Sequence, residues 1–253
     1  MPTETSSDKT FFDWLTEILT WVISHPDIIA LACIGGFIPA LIWMWFWLRE
    51  DKHPEPWQYI TLVFIMGIVM VPIVIPFQVA VLKYYHLLPF VLPVFIYFVW
   101  AALEEVFKYA AAYFAALKNP VNDEPVDPII YMIVAALGFA ALENTLFLVD
   151  PISNKLVVDS VVIANLRFVG ATLLHIVTSA TVGIFLAFSF YKTKKEKIIY
   201  LILGLILATI LHFVFNLAIL SSSNVGGIIV ALFIAWMGAM VLVFMFEIIK
   251  RYQ

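Results

Sequence analysis

Cysteine occurs once in this chain, at Cys33, which excludes an intrachain disulfide and any thiolate metal cluster. Charge is scarce too: Asp, Glu, Lys and Arg make up 13% of the residues, about half the share of a soluble domain. The net charge of −4 is small and no basic block is present, so no nucleic-acid partner is expected. The HExxH helix used by many zinc peptidases is absent. The opening residues MPTETSSDKT lack a basic stretch running into an apolar core, so no cleavable signal peptide is expected. There is no internal repeat, no low-complexity tract, and no polar stretch long enough for a separate soluble domain.

What fills the chain is apolar. Of the 253 residues 64% are hydrophobic, and the mean hydropathy of +1.02 marks a polytopic membrane protein. A membrane span needs about 20 apolar residues. Seven runs qualify: 28–48, 58–83, 88–117, 127–149, 168–191, 198–220 and 225–249. In lipid each run must satisfy its own backbone hydrogen bonds, so the expected fold is an all-α bundle of about seven transmembrane helices. Residues 11–24, which contain Asp13 and Glu17, read as an amphipathic helix lying at the interface. The domain reading is an N-terminal polar segment, 1–27, followed by a single transmembrane domain, 28–253. Pro72 and Pro76 are expected to kink the second span and Pro93 the third. Gly35, Gly36, Gly138 and Gly170 are expected to let helices approach closely. Asp127 is read as a helix cap in the polar turn formed by Asp123, Glu124, Asp127 and Pro128.

Lysine and arginine set the orientation. The loop 191–197 carries four lysines; Lys250, Arg251, Arg49, Lys52 and Lys118 fall on the same side. Lys9, Lys83, Lys155 and Arg167 fall on the other. The expectation is a multi-pass protein of the plasma (inner) membrane, with the N-terminus outside and the C-terminus in the cytoplasm. Trp43, Trp45, Trp47 and Trp57 would then anchor the cytoplasmic interface.

Against this background, Glu104, Glu105 and Lys108 stand inside the third run. One ionisable side chain near the bilayer centre costs about 2.5–3.5 kcal/mol, and three unpaired would cost about 8–10 kcal/mol. A functional site is therefore the default reading. Polar residues recur in three further spans: Glu143 and Asn144 in the fourth, His175, Thr178 and Ser179 in the fifth, His212 and Asn216 in the sixth. At 1.5 Å rise per residue, Glu105 lies roughly 18 Å from its cytoplasmic end, His212 about 21 Å, and Glu143 and His175 about 24 Å. Four helices running in alternating directions thus bring their costly residues to one layer, in the outer half of the membrane. Glu104 and Lys108, four residues apart, can pair along one face, and His212 and Asn216 share a face in the same way.

Carboxylates, histidines and an asparagine in a wet pocket suit hydrolysis. A carboxylate can act as general base on water, and histidine or asparagine can donate to an oxyanion. Alternatively His175, His212 and Glu105 could bind zinc. Thr178 and Ser179 read as small helix-packing residues. The runner-up functions are a proton- or ion-coupled transporter and a non-catalytic scaffold that binds partner helices.

Four segments carry a resemblance: EEVFK at 104–108, DEPVDPIIYMIVAALGFAALENTLF at 123–147, HIVTSATVG at 175–183 and HFVFN at 212–216. In this order they resemble the motifs of PrsW-family intramembrane proteases and, more distantly, those of the CAAX-prenyl-endopeptidase and bacteriocin-processing superfamily. Lys108 follows the PrsW form, where the wider superfamily has an arginine one position later. The resemblance implies a membrane-embedded endopeptidase that makes a site-1-type cut in a single-span anti-sigma factor, on its extracytoplasmic side. By motif position it implies that Glu104 and Glu105 are the catalytic pair, His175 and His212 the catalytic or metal histidines, and Asn216 the oxyanion or ligand partner, with Lys108, Glu143 and Asn144 in support. Both a zinc and a metal-free glutamate mechanism are compatible with it, the latter slightly favoured.

Overall fold

The computed structural model describes residues 16, 20–87, 92–220 and 225–252, and among them every regular element is helical. Eight α-helices follow in order: α1 (Pro26–Leu48), α2 (Trp57–Tyr84), α3 (Val94–Ala112), α4 (Asp127–Ser153), α5 (Val157–Leu166), α6 (Thr172–Phe188), α7 (Lys194–Leu220) and α8 (Val225–Ile249). A π turn, Tyr113–Leu117, extends α3, and a second, Arg167–Ala171, joins α5 to α6. Among the described residues, six helices are long and apolar enough to cross a membrane: α1, α2, α4, Ser160–Phe188, α7 and Gly226–Ile249. The seventh expected span is α3 with its π turn, which carries Glu104, Glu105 and Lys108 in its interior. The interfacial helix expected at 11–24 falls largely outside the described residues, of which 20–24 are helical.

Two helices form the core. Residues 125–141, which run into and through the first half of α4, are buried without interruption, and so are 172–180 at the start of α6. A helix apolar on every side has no lipid face to show and is enclosed by others. Helices α1, α2, α3 and α6 pack on α4, while α7 and α8 pack on α6, and α3 closes the ring against α7. Close approach depends on backbone meeting backbone. A Cβ on Gly138 would strike the carbonyl of Phe64, and one on Gly67 the carbonyl of Ala135, so α2 and α4 each present a glycine to the other. Gly36 does the same for α1 against Ala141 and Thr145.

Some expectations are corrected. Pro93 stands just before Val94 and starts α3 instead of kinking it. A proline costs nothing there, because the first turn of a helix has no use for its missing N–H. Pro72 and Pro76, by contrast, do lie inside a helix, the 28-residue α2, where a kink requires them to be. The fifth span begins at Ser160 rather than 168, because α5 runs through the π turn into α6. Trp47 is buried against Phe246 and Trp43 is partly buried, so only Trp45 and Trp57 expose rings as interface anchors. Asp127 accepts from the backbone N–H groups of Asp123 (2.8 Å) and Glu124 (2.7 Å), tying down the preceding turn, and is itself the first residue of α4.

Candidate active site

The ionisable residues of α3, α4, α6 and α7 meet in one hydrogen-bonded network. Glu105 is fully buried at its centre. Its Oε1 accepts from Lys108 Nζ (2.8 Å), His212 Nδ1 (2.8 Å) and Thr178 Oγ1 (3.0 Å), and its Oε2 from Ser179 Oγ (3.1 Å). Thr178 and Ser179 therefore bind a carboxylate rather than merely letting helices pack. An ionised carboxylate accepts only, so His212 carries its proton on Nδ1 and leaves Nε2 with a free lone pair. Lys108 also reaches His175 Nδ1 at 2.7 Å. An ammonium donates only, so His175 is protonated on Nε2, which donates to Glu143 Oε2 at 2.8 Å. The two imidazoles stand perpendicular, 5.3 Å apart.

Glu104 faces differently. Its Oε1 accepts from Gln78 Nε2 at 3.1 Å, while its buried Oε2 has no hydrogen-bond partner. That oxygen lies 3.6 Å from Lys108 Nζ and 3.7 Å from His212 Nε2. The anticipated pairing of Glu104 with Lys108 is thus the longer contact, the short ion pair going to Glu105 three residues before the lysine.

A cavity of about 540 Å³ opens over these groups. Its walls are mostly apolar, with Trp100, Phe139, Phe147 and Phe215 among them, and its polar lining includes Glu104, Glu143, His175, His212 and Asn216. Glu105 and Lys108 do not line it; they hold the histidines from behind. Asn144 also stands back, donating to Thr172 Oγ1 at 2.9 Å.

Two residues of this site were not anticipated. Arg167, assigned from sequence to an extracytoplasmic loop, enters the cavity and donates from Nη2 to Glu143 Oε2 (3.1 Å) and from Nε to Asn144 Oδ1. Gln78 on α2 holds Glu104, and its carbonyl accepts from Trp100 Nε1 at 3.0 Å. The available signal for Gln78 was a lone amide within an otherwise apolar span. For Arg167 the helical spacing concealed the position.

The donor set fits a zinc ion. Glu104, His175 and His212 offer ligand atoms all within 4.8 Å of one another. The partnerless Glu104 oxygen and the proton-free His212 Nε2 are two of the groups such an ion requires, and the Glu105 carboxylate behind His212 is the usual support for a metal-binding imidazole. Ligation through His175 would exchange one of its two hydrogen bonds. Three carboxylates here face two permanent cations, Lys108 and Arg167, so a cation is also favoured by charge. The carboxylate in this set is Glu104, not Glu105 as the sequence suggested, because the oxygens of Glu105 are taken up by four donors.

The fold and this site define a multi-pass membrane protein with a buried cluster of carboxylates and imidazoles beside a cavity. The family described as PrsW family intramembrane metalloprotease matches residues 55–248. The chain belongs to that family, and is an intramembrane protease. It is 28% identical to "Protease PrsW" of Geobacillus kaustophilus over 188 residues, covering 72% of this chain and 76% of that protein. The protein of the same name from Clostridioides difficile is 28% identical, with 72% and 76% covered, and that from Oceanobacillus iheyensis 28%, with 72% and 80%. No solved structure matches.

Proposed function

We propose that this protease hydrolyses a peptide bond of a single-span membrane protein in the extracytoplasmic half of the bilayer. The observation that carries this reading is the apolar cavity whose polar end presents Glu104, Glu143, His175 and His212 together. The substrate class implied by the motif resemblance is an anti-sigma factor cut in the site-1 manner.

Glu104, His175 and His212 are the residues that would hold zinc. When bound, zinc supplies Lewis-acid polarisation of the carbonyl and acidifies water. The chain's own groups do the rest. The apolar walls, Phe139 and Trp100 among them, desolvate an extended substrate segment. Glu143 takes a proton from the attacking water and returns it to the departing amine nitrogen, a role worth roughly 10²–10⁴-fold in rate. Asn216 donates its amide N–H to the carbonyl oxygen as negative charge builds there. Glu105 and Lys108 fix the tautomer and tilt of the two imidazoles. This assignment moves the water-activating role from the Glu104/Glu105 pair to Glu143, because Glu105 has no access to the cavity.

The test is cleavage of a tagged library of single-span substrates in cells, comparing wild type with Glu143→Gln and His175→Ala, together with zinc analysis of the purified protein. Wild-type cleavage that both substitutions abolish, in protein that carries zinc, is the expected result. Undiminished cleavage by Glu143→Gln would remove that residue from the chemistry, and cleavage in fully demetallated protein would return the assignment to a glutamate acting without metal.

A further inference from the structure

Arg167 sits where a regular helix would not put it. Eight residues before His175, it would point about 80° away from the histidine on an α-helix. The π turn Arg167–Ala171 inserts one extra residue per turn, which makes the pair effectively seven apart and only about 20° out of line. Arginine and histidine therefore line the same cavity.

The arginine is held on three sides by α4. Nη2 donates to Glu143, Nε donates to Asn144, and the guanidinium carbon lies over the Phe147 ring, 3.8 Å from its centroid. Asn144 is fixed in turn by Thr172, the residue that follows the π turn. Arg167 Nη2 and His175 Nε2 both donate to the same oxygen of Glu143, Oε2, which leaves Oε1 to the cavity. Unlike the sealed pair Glu105 and Lys108, Arg167 and Glu143 keep side-chain exposures of 16% and 21%.

We propose that Arg167 is a positioning residue of the hydrolysis. It clamps Glu143 through Oε2, so that the remaining carboxylate oxygen is presented to water and to the leaving amine. The π turn exists in the fold to deliver it. A planar guanidinium suits this role because it binds Glu143 and Asn144 at once while stacking on Phe147, which the point charge of a lysine cannot do.

This rests on the peptidase reading of the cavity, and the test separates the two. Purified protein in nanodiscs would be assayed with a fluorogenic single-span substrate, for wild type, Glu143→Gln, Arg167→Ala and Arg167→Lys. For Arg167→Ala, kcat is expected to fall roughly 10–100-fold, the scale of a misplaced catalytic group, with KM within about twofold. Arg167→Lys is expected to fall between this variant and wild type, and free guanidinium to restore part of the Arg167→Ala rate. If Arg167→Ala fails to fold, Arg167→Lys carries the comparison, and a wild-type kcat for it overturns the proposal. So does unchanged kcat in Arg167→Ala, or a loss confined to KM. Absence of cleavage by wild type itself sinks the peptidase reading, whereas loss in Glu143→Gln alone sinks only the role given to Arg167.

Discussion

At the scale of single residues, neighbours in sequence have unlike surroundings. Glu104 and Glu105 are adjacent on α3, about 100° apart around the helix axis. One looks into the cavity with an oxygen that has no hydrogen-bond partner, and the other is sealed behind it by four donors. Their substitutions should therefore fail differently. Glu104→Gln removes a proposed ligand, and zinc should no longer copurify. Glu105→Gln removes the carboxylate that orients His212, and zinc affinity should fall roughly 10–100-fold while binding survives. Titration of the demetallated proteins with zinc distinguishes the two, and equal affinity in Glu105→Gln and wild type would remove Glu105 from that supporting role. Lys108→Met leaves Glu105 a buried charge without its cation, which should cost about 3–5 kcal/mol of stability. Thermal unfolding in detergent measures it, and the loss should appear whether or not zinc is present.

At the scale of elements, what the sequence disclosed and what it concealed have physical reasons. Long apolar runs announce membrane helices because lipid offers the backbone no partners, and the costly Glu104, Glu105 and Lys108 mark themselves by standing among apolar neighbours. Spacing could bring Glu143, His175 and His212 to one depth but could not show which carboxylate faces which histidine. Arg167 was hidden because a π turn leaves no mark in composition and shifts every later residue by about 100°. Trp47 was misplaced because an aromatic near a span end can serve either interface or core, and only its contact with Phe246 decides. The glycine contacts of α2 and α4 give a further expectation. Gly138→Val would push a side chain into the Phe64 carbonyl, and the helices would have to separate, a strain of about 1–3 kcal/mol. The lowered unfolding temperature should be accompanied by reduced activity, because α2 and α4 carry Gln78 and Glu143. The turn between α1 and α2 is expected to respond to pH. Burial, aided by the negative charges of Asp127 and Asp51, pushes Glu55 up from 4.5 to about 8 against the opposing hydrogen bond from Tyr131. The folded chain keeps this proton where the unfolded chain gives it up. Stability from this contact is thus full at low pH and declines as the pH rises from 4.5 to about 8. Glu55→Gln should flatten that part of the stability–pH curve, and an unchanged slope would show that other groups set it.

At the scale of the whole molecule, the charges gather at one end of the bundle. Lys250 pairs with Glu50 and Glu247, Lys52 donates to the carbonyl of Lys250, and His53 meets Glu124, so the ends of α1 and α8 and the turn before α4 share a face. The lysine-rich stretch from Lys192 into the first turn of α7 belongs to the same end by the alternation of the helices. With Arg167 withdrawn into the site, the opposite end keeps, among the described residues, Lys83 and Lys155, against nine basic residues here. The bias toward a cytoplasmic location for this end is therefore stronger than the loops alone implied. The consequence is functional, because the orientation decides which half of the membrane holds the cavity and hence which part of a substrate it can reach. Replacing Cys33 by alanine leaves a chain without thiols, into which Lys155→Cys and Lys195→Cys can be introduced singly at exposed positions. A membrane-impermeant maleimide added to intact cells should label the cysteine at 155, and should label that at 195 only after the membrane is opened. The reverse pattern would put the cavity in the cytoplasmic half, and a site-1-type cut of an anti-sigma factor would no longer be open to this protein. Cleavage products would settle the same point from the substrate's side, since a cut in the outer half leaves the complete cytoplasmic domain attached to most of its membrane anchor.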